Sequence, residues 1–540
     1  MSASSKKKLR NAEQAEKLTE KQLAEQKEAK KLKIYSTLAV VILIALVIFA
    51  AYTGITRAVT NSGIRERNTV ALTIGEDKIN NAELNYFFMD AVNQFYNQYG
   101  SYAALLGLDT SKPLDEQIFN EETQETWADN FMNSAIQNAR MTYALANEAK
   151  ANGFTLPEAA VSGIDQSMST MELYASMYGY PSTEAYVKAM YGNGASVKSL
   201  RAYFELTSLA NAYQTDYYSN LTYEDAELRA AEAENYDKYS SYSYNYYYLN
   251  TNNFVEGEKA EDGYTAEQLA AAAKNAEAAA KSLTEGITTV EAFDKAVAAL
   301  SINAENTSAA SFASEDVAYG NISSIYADWI TDASRKTGDM TYVANTTVST
   351  DENGNETEQI SGYYVLMFNS KNDNTFALAN VRHILVDFEG GSYDSTTGIT
   401  TYSDEEKATA KAAAEEIYNE WKNGAATEES FAALANEKSD DGDGTTGGLV
   451  ADVYPGRTVP NFENWCFGDR KIGDTDIVET EYGYHVMFYC GDSETTYRDY
   501  LISNELASAD YSDWHAALVE AVSVTEENTK FVRTDIVLGS

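Results

Sequence analysis

From Ile34 to Thr56 not one residue carries a charge. Such a run can leave water only if its backbone polar groups bond to one another, so it must be a helix. Its 23 residues, at ~1.5 Å rise each, reach ~34 Å, enough to cross a bilayer core of ~30 Å. The centre, Leu38 to Phe49, is almost purely aliphatic. The segment before it, residues 1–33, carries Lys6, Lys7, Lys8, Arg10, Lys17, Lys21, Lys27, Lys30, Lys31 and Lys33. A basic flank marks the cytoplasmic side. The expectation is a cytoplasmic basic segment over 1–33, a transmembrane helix over 34–56, and everything after about residue 57 outside the cell. A cleaved signal peptide is the rival reading. The run is longer than a usual signal core and 33 residues precede it, which favours an uncleaved, single-pass anchor. No Cys lies near the run, which excludes a lipid-anchored lipoprotein.

Beyond the anchor, 540 residues require several domains. The chain holds 40 Lys and Arg against 82 Asp and Glu, a formal net charge of −42. A surface that acidic repels phosphate backbones and excludes nucleic acid as a partner. It suits basic or unfolded polypeptides better. The two cysteines, Cys466 and Cys490, lie in no basic setting that would make a thiolate nucleophile. Their spacing leaves a disulfide and free thiols equally open. No Cys/His cluster has metal-ligand spacing.

Residues 69–82 read as a short strand, a tight turn at Gly75-Glu76-Asp77 and a second strand. Asn81 is the expected N-cap of a helix presenting Leu84, Phe87, Phe88, Ala91 and Phe95. Further helices are expected over 121–152, 157–178, 182–190 and 196–235, punctuated by Gly and Pro. At the other end, 497–521 reads as a helix and Phe531 to Leu538 as a strand.

Between these lies an internal repeat. Segments 243–369 and 380–490 share an order of events: a strand, an Ala-rich helix, a second helix around Phe293 or Phe431, a Trp (Trp329 or Trp465), an Arg-Lys-x-Gly-Asp turn, and a closing Gly-Tyr strand. Such shared landmarks indicate duplication. The copies differ where chemistry would sit. His485 corresponds to Tyr364, and His383 to a Tyr, expected to be Tyr247. The insertion Thr350 to Glu356 reads as a polar hairpin loop.

The later copy holds two of the chain's three histidines in matching strand phrases, Asn380-Val381-Arg382-His383-Ile384-Leu385 and Tyr482-Gly483-Tyr484-His485-Val486-Met487. Between them stand Phe431-Ala432-Ala433-Leu434, Ser439-Asp440-Asp441, Gly447-Gly448-Leu449 and Val459-Pro460-Asn461-Phe462. This ordered set resembles the parvulin family of peptidyl-prolyl cis/trans isomerases. The hairpin and helices of 65–235 are similar in order to the chaperone domain of extracytoplasmic foldases of the SurA and PrsA type.

The resemblance implies an α+β chain: one transmembrane helix, a mostly helical chaperone domain over 65–235, a degenerate parvulin-like domain over 240–372, a parvulin domain over 376–492, and a C-terminal helix over 496–540 packing on the chaperone domain. It implies a hydrogen-bonded pair, His383 and His485, with Thr480 nearby, and Asp441 beside the substrate carbonyl. Leu449, Thr458, Phe462 and Met487 would line the proline slot, with Thr458 smaller than the apolar residue often found there. Such isomerisation needs no cofactor. The loop 387–404 has no Arg or Lys to pair a phosphate, so phosphopeptide specificity is not expected. The implied partners are unfolded or newly secreted polypeptides, with a homodimer compatible. A non-catalytic holdase, using both copies only for binding, is the alternative.

Overall fold

The computed structural model describes residues 2–16, 20–259, 264–306, 308–350, 356–442 and 444–538. The chain divides into two compact units, one spanning Met1–Leu221 and Ala509–Ser540, the other Thr222–Ser508.

In the first unit, helix Glu20–Asn61 runs through the charge-free segment. Among the described residues, its stretch Val41–Asn61 is long and apolar enough to cross a membrane. The helix ends at Gly63, which has the left-handed φ of 66°. A Cβ there would lie 2.1 Å from the Asn193 carbonyl oxygen, so only glycine lets the chain pass. Strands Val70–Ile74 and Asp77–Asn80 then pair through the Gly75 turn.

Helix Asn81–Tyr99 is capped by Asn80, not by Asn81. The Asn80 side chain accepts from the Glu83 N–H while Glu83 accepts from the Asn80 N–H, a reciprocal box. Asn81 is buried and has another task. Its Nδ2 donates to the carbonyls of Thr69 (3.0 Å) and Asn528 (2.8 Å). Leu84, Phe87, Phe88 and Val92 pack into one core with Trp127, Phe131 and Ala135 of helix Trp127–Ala151. That helix starts six residues later than expected, because Thr126 and Asp129 form its cap. Helices Glu158–Met177, Thr183–Tyr191 and Val197–Ser219 follow. The expected helix over 196–235 is two helices. Glu224 and Glu227 cap a new start at Asp225.

The second unit contains two four-stranded antiparallel sheets with one connectivity. The first orders its strands Phe312–Ala318, Ser241–Asn250, Glu356–Asn372, Met340–Thr350; the second Leu449–Val453, Ala377–Asp387, Gly483–Thr496, Thr475–Glu479. Two helices pack on one face of each, Ala266–Ser282 with Val290–Ala298, and Asp404–Asn423 with Glu428–Lys438. The Arg-Lys-x-Gly-Asp turns are matched bond for bond. Gly338 N–H donates to Phe368 O and Gly473 N–H to Tyr489 O, both at 2.8 Å. Arg335 lies over Trp329 at 4.9 Å and Arg470 over Trp465 at 4.8 Å. Of the expected loop between Thr350 and Glu356, which are paired, residues 351–355 lie outside the described residues.

The register corrects one correspondence between copies. Gly362 and Gly483 mark equivalent points; Tyr364 pairs with Tyr248 as His485 pairs with Leu385. Two residues on, Leu366 pairs with Tyr246 as Met487 pairs with His383. The counterpart of His383 is therefore Tyr246, not Tyr247. Both cysteines are free thiols. They sit in clusters on opposite faces of the second sheet, which precludes a bond between them.

Helix Tyr497–Ala521 begins in the second unit. Strand Val524–Glu526 then adds to Val70–Ile74. The run Phe531 to Leu538 is not a strand. Its backbone is bonded by side chains instead: Phe531 N–H donates to Asn81 Oδ1 at 3.1 Å and Arg533 N–H to Asn85 Oδ1 at 2.9 Å. Val532, between these two bonds, and Ile536, beyond them, enter the core.

The least exposed cation of the second unit is Arg498, at 1%. Its Nε pairs with Glu232 Oε1 at 2.5 Å, its Nη1 donates to Asp373 O at 2.8 Å, and its guanidinium lies 3.7 Å over the Tyr236 ring. Arg498→Ala leaves Glu232 to its other partner, Arg229, and strips the Asp373 and Tyr236 carbonyls of a charged donor. The expected cost is about 2–3 kcal/mol, read as a lowered melting temperature of the purified chain, with the Arg498→Lys chain in between.

Candidate active site

The site begins with backbone pairing. Strands Ala377–Asp387 and Gly483–Thr496 are central neighbours with Met487 opposite His383 and Leu385 opposite His485. Side chains alternate between sheet faces, so His383 and His485 fall on one face, diagonal to each other. Gly483 makes the register accessible, since a Cβ there would lie 2.1 Å from the Val386 carbonyl oxygen.

Three further elements are drawn against the His383 strand. The Ser439-Asp440-Asp441 turn docks along it: Leu385 N–H donates to Ser439 Oγ (3.0 Å), Asp440 N–H to Leu385 O (2.9 Å), and Asp387 N–H to Asp440 Oδ2 (3.0 Å). The Gly447-Gly448 turn follows on the same edge of the strand, with His383 N–H donating to Gly448 O at 2.9 Å. Both glycines have positive φ, and a Cβ on Gly448 would meet the His383 carbonyl at 2.1 Å. Arg382 holds this turn through the Thr446 and Gly447 carbonyls and pairs with Glu428. Helix Pro460–Cys466, started by a proline at its first position, brings Phe462 over both imidazoles, ring centres 5.4 and 5.3 Å away and edge-on.

The result is a continuous polar chain. Thr480 Oγ1 lies 3.0 Å from His485 Nε2, His485 Nδ1 3.0 Å from His383 Nδ1, and His383 Nε2 3.3 Å from Asp441 Oδ2. Thr480, His383 and His485 are buried; Asp441 is exposed to solvent. A neutral imidazole has one N–H. With the Asp441 carboxylate accepting from His383 Nε2, the remaining protons are assigned: His485 Nδ1–H donates to His383 Nδ1, and the Thr480 hydroxyl donates to His485 Nε2. Burial keeps the pair neutral. It lowers the pKa of His383, against the pull of Asp441, and drives that of His485 down to about 3, with His383 adding to the effect.

These groups form the base of a cleft of about 660 Å³. Phe462, Thr458, His383, His485 and Asp441 line it. Leu449 does not. It sits opposite Arg382 on the edge strand with 42% of its surface exposed, and Val450 next to it faces the cleft. Met487 is fully buried beneath, in one cluster with Phe462 and Trp465. Thr480 reaches the cleft only through His485. The Thr458 Oγ1 is buried with no hydrogen-bond partner among the described residues. Leu385, Asp387, Arg457, Val459 and Tyr482 also line the cleft; Leu385, Val459 and Tyr482 belong to the motif phrases of the sequence, whereas Asp387 and Arg457 lie outside them. Leu385 and Asp387 carry a sequence signal for the site all the same, two and four residues from His383 on the same strand face. Asp387 is pushed up by burial and by the carboxylates of Asp440 and Asp441.

Residues 364–488 match the family model of the PPIC-type PPIASE domain. The chain therefore carries a parvulin-type peptidyl-prolyl isomerase domain. Foldase protein PrsA 3 of Bacillus cereus is 40% identical over 75 residues, 14% of this chain and 25% of that protein. The chain thus spans about a quarter of the length of the curated relative it matches. Among solved structures, the peptidylprolyl isomerase PrsA of Bacillus anthracis is 21% identical with a TM-score of 0.17, covering 28% of this chain and 59% of that one. A SurA-like chaperone of Campylobacter jejuni is 15% identical with a TM-score of 0.14, over 56% and 83% of the two chains.

The neutral imidazoles give stability a pH dependence of known sign. Their folded pKa lies below the ordinary 6.5. Their contribution is full above that value and is lost as pH falls, because the unfolded chain then binds protons that the folded one refuses. Each adds a slope of about 1.4 kcal/mol per pH unit, and for His485 the window runs from 6.5 to about 3. Asp387, shifted up, acts in the opposite sense. Melting followed from pH 7 to pH 5 is expected to fall less steeply in His485→Asn than in the native chain.

Proposed function

We propose that this chain is a membrane-anchored, extracytoplasmic foldase that speeds cis/trans isomerisation of X-Pro bonds in unfolded or newly secreted polypeptides and shields them while they fold. The anchor would be the single helix Glu20–Asn61, with its N-terminal basic segment in the cytoplasm. The observation that carries this reading is the open cleft with two neutral, mutually bonded imidazoles and Phe462 at its base.

The chemistry asked of the site is modest. Rotation about X-Pro breaks amide resonance, a barrier of about 18–20 kcal/mol. No bond to the substrate need form. The catalyst must bind the twisted amide better than the planar one. Phe462, Leu385, Val450 and Val459 offer the pyrrolidine ring a dry wall. The planar amide places partial negative charge on its oxygen. An oxygen held near the Asp441 carboxylate, and given no cation by the uncharged imidazoles, loses part of that stabilisation. The twisted amide has less charge there to lose. In this account His383 and His485 set the polarity of the floor, Thr480 fixes the tautomer, and Asp441 disfavours the ground state.

The first copy has tyrosines where the second has imidazoles. Tyr246 and Tyr364 lie 6.1 Å apart, ring centre to centre, and Tyr326 packs on Tyr364 at 5.3 Å. Its proposed role is scaffolding. That substitution also favours the second reading, a holdase that binds without turnover.

A proline-isomerisation assay on the full chain in detergent micelles separates the two. His383→Ala and His485→Ala are each expected to lower kcat/KM by about tenfold or more, at least 1.4 kcal/mol of transition-state stabilisation. Phe462→Ala is expected to raise KM, with suppression of client aggregation retained in all three. Imidazole variants as fast as the native chain would leave only the holdase.

A further inference from the structure

In a chain with twice as many carboxylates as cations, a place beyond the basic segment 1–33 also reverses the balance. Residues 57–68 and 528–535 contain Arg57, Arg65, Arg67, Lys530 and Arg533 against Glu66 and Asp535. They come from opposite ends of the sequence but from one compact unit. Arg65 and Lys530 flank the same ring, Phe531, at 6.0 and 5.3 Å. Arg67 is held by the carbonyls of Ser62 (2.6 Å) and Gly194 (3.3 Å). Arg533 donates to Ala189 O at 2.8 Å and meets Asp535 at 3.6 Å.

Among the described residues Arg57, Arg65, Arg67 and Lys530 have no ion-pair partner, although the chain offers 82 carboxylates. Glu66, between Arg65 and Arg67, forms no ion pair with them among the described residues. One of its carboxylate oxygens is buried and unbonded, held in by the close approach of Gly194. The cations sit at the end of the apolar helix. Arg57 is on its last turns and Arg65 four residues beyond Asn61, with exposed Tyr52 and Ile64 beside them.

On the reading that Val41–Asn61 crosses a membrane, we infer that Arg57, Arg65, Arg67 and Lys530 form a collar that binds the anionic phosphate headgroups of the leaflet from which the helix emerges. Unpaired cations next to a membrane span find their counter-ions in the lipid phosphates, where each is attracted by the negative surface potential. With the whole chain at net −42, and its basic segment 1–33 on the other side of the helix, the body would otherwise be repelled from that surface. The collar has the sign that matches it.

The test uses the full chain in nanodiscs of phosphatidylcholine, alone or mixed with phosphatidylglycerol, with amide hydrogen exchange read by mass spectrometry. Phosphatidylglycerol is expected to slow exchange over 62–68 and 528–535, with the effect shrinking about fivefold for each cation removed and weakening in high salt. Arg65→Gln with Lys530→Gln touches only the face of one ring, so the variant folds. Unchanged exchange over helix Trp127–Ala151 verifies that. The double variant is expected to lose most of the phosphatidylglycerol effect. Native exchange indifferent to phosphatidylglycerol would overturn the proposal, as would a double variant that keeps the full effect. Equal protection from inorganic phosphate in phosphatidylcholine discs would overturn it too, in favour of a small-anion site. A helix that fails to insert in either disc would instead remove the membrane reading itself.

Discussion

The pairing of strand Ala377–Asp387 with strand Gly483–Thr496 is the constraint on which the candidate site rests. Because side chains alternate, a slip of one residue would send one imidazole to the opposite face, under helices Asp404–Asn423 and Glu428–Lys438. The register is over-determined. Gly483 admits the Val386 carbonyl, Gly448 admits that of His383, and the Ser439 turn clasps the strand along its length. Each is a local demand on the backbone. Together they leave the two rings one arrangement, in which each nitrogen has a partner and burial keeps both uncharged.

Much of this could be read from the sequence because strands and turns are local. Two His in strand phrases, with glycine and proline signals between them, limit the fold to few possibilities. The Asn-rich helix start, the Ala-rich helices and the Gly-Tyr strands all carry periodicity that survives without tertiary context. What escaped depended on partners far away in the chain. Asn81 looked like a cap, yet Asn80 takes that place and Asn81 bonds to Asn528, over four hundred residues on. The run Phe531 to Leu538 has a strand's composition, but two asparagine side chains take the place of a neighbouring strand. Leu449 and Val450 illustrate the same limit at the scale of one residue. The Gly-Gly turn before them rotates the edge strand, and which side chain meets the cleft follows from that rotation, not from hydrophobicity.

The two copies show what duplication preserves. The turn at Gly338 and Gly473, the arginine over a tryptophan and the order of strands are common to both. These belong to the scaffold. The tyrosines at 246 and 364 fill with aromatic area the space that imidazoles and a cleft occupy in the other copy. Aromatic packing of this kind stabilises a sheet face, and it removes the need to keep a hollow open.

The close approach at Gly63 reaches beyond local geometry. With no room for a side chain between the helix end and Asn193, and with Arg67 stitched to Ser62 and Gly194, the globular part of the first unit is fastened to the long apolar helix without slack. A flexible leash would let the two tumble independently. A fastening this short makes them turn together, so any orientation imposed on the helix is handed on to the strands and helices that follow it.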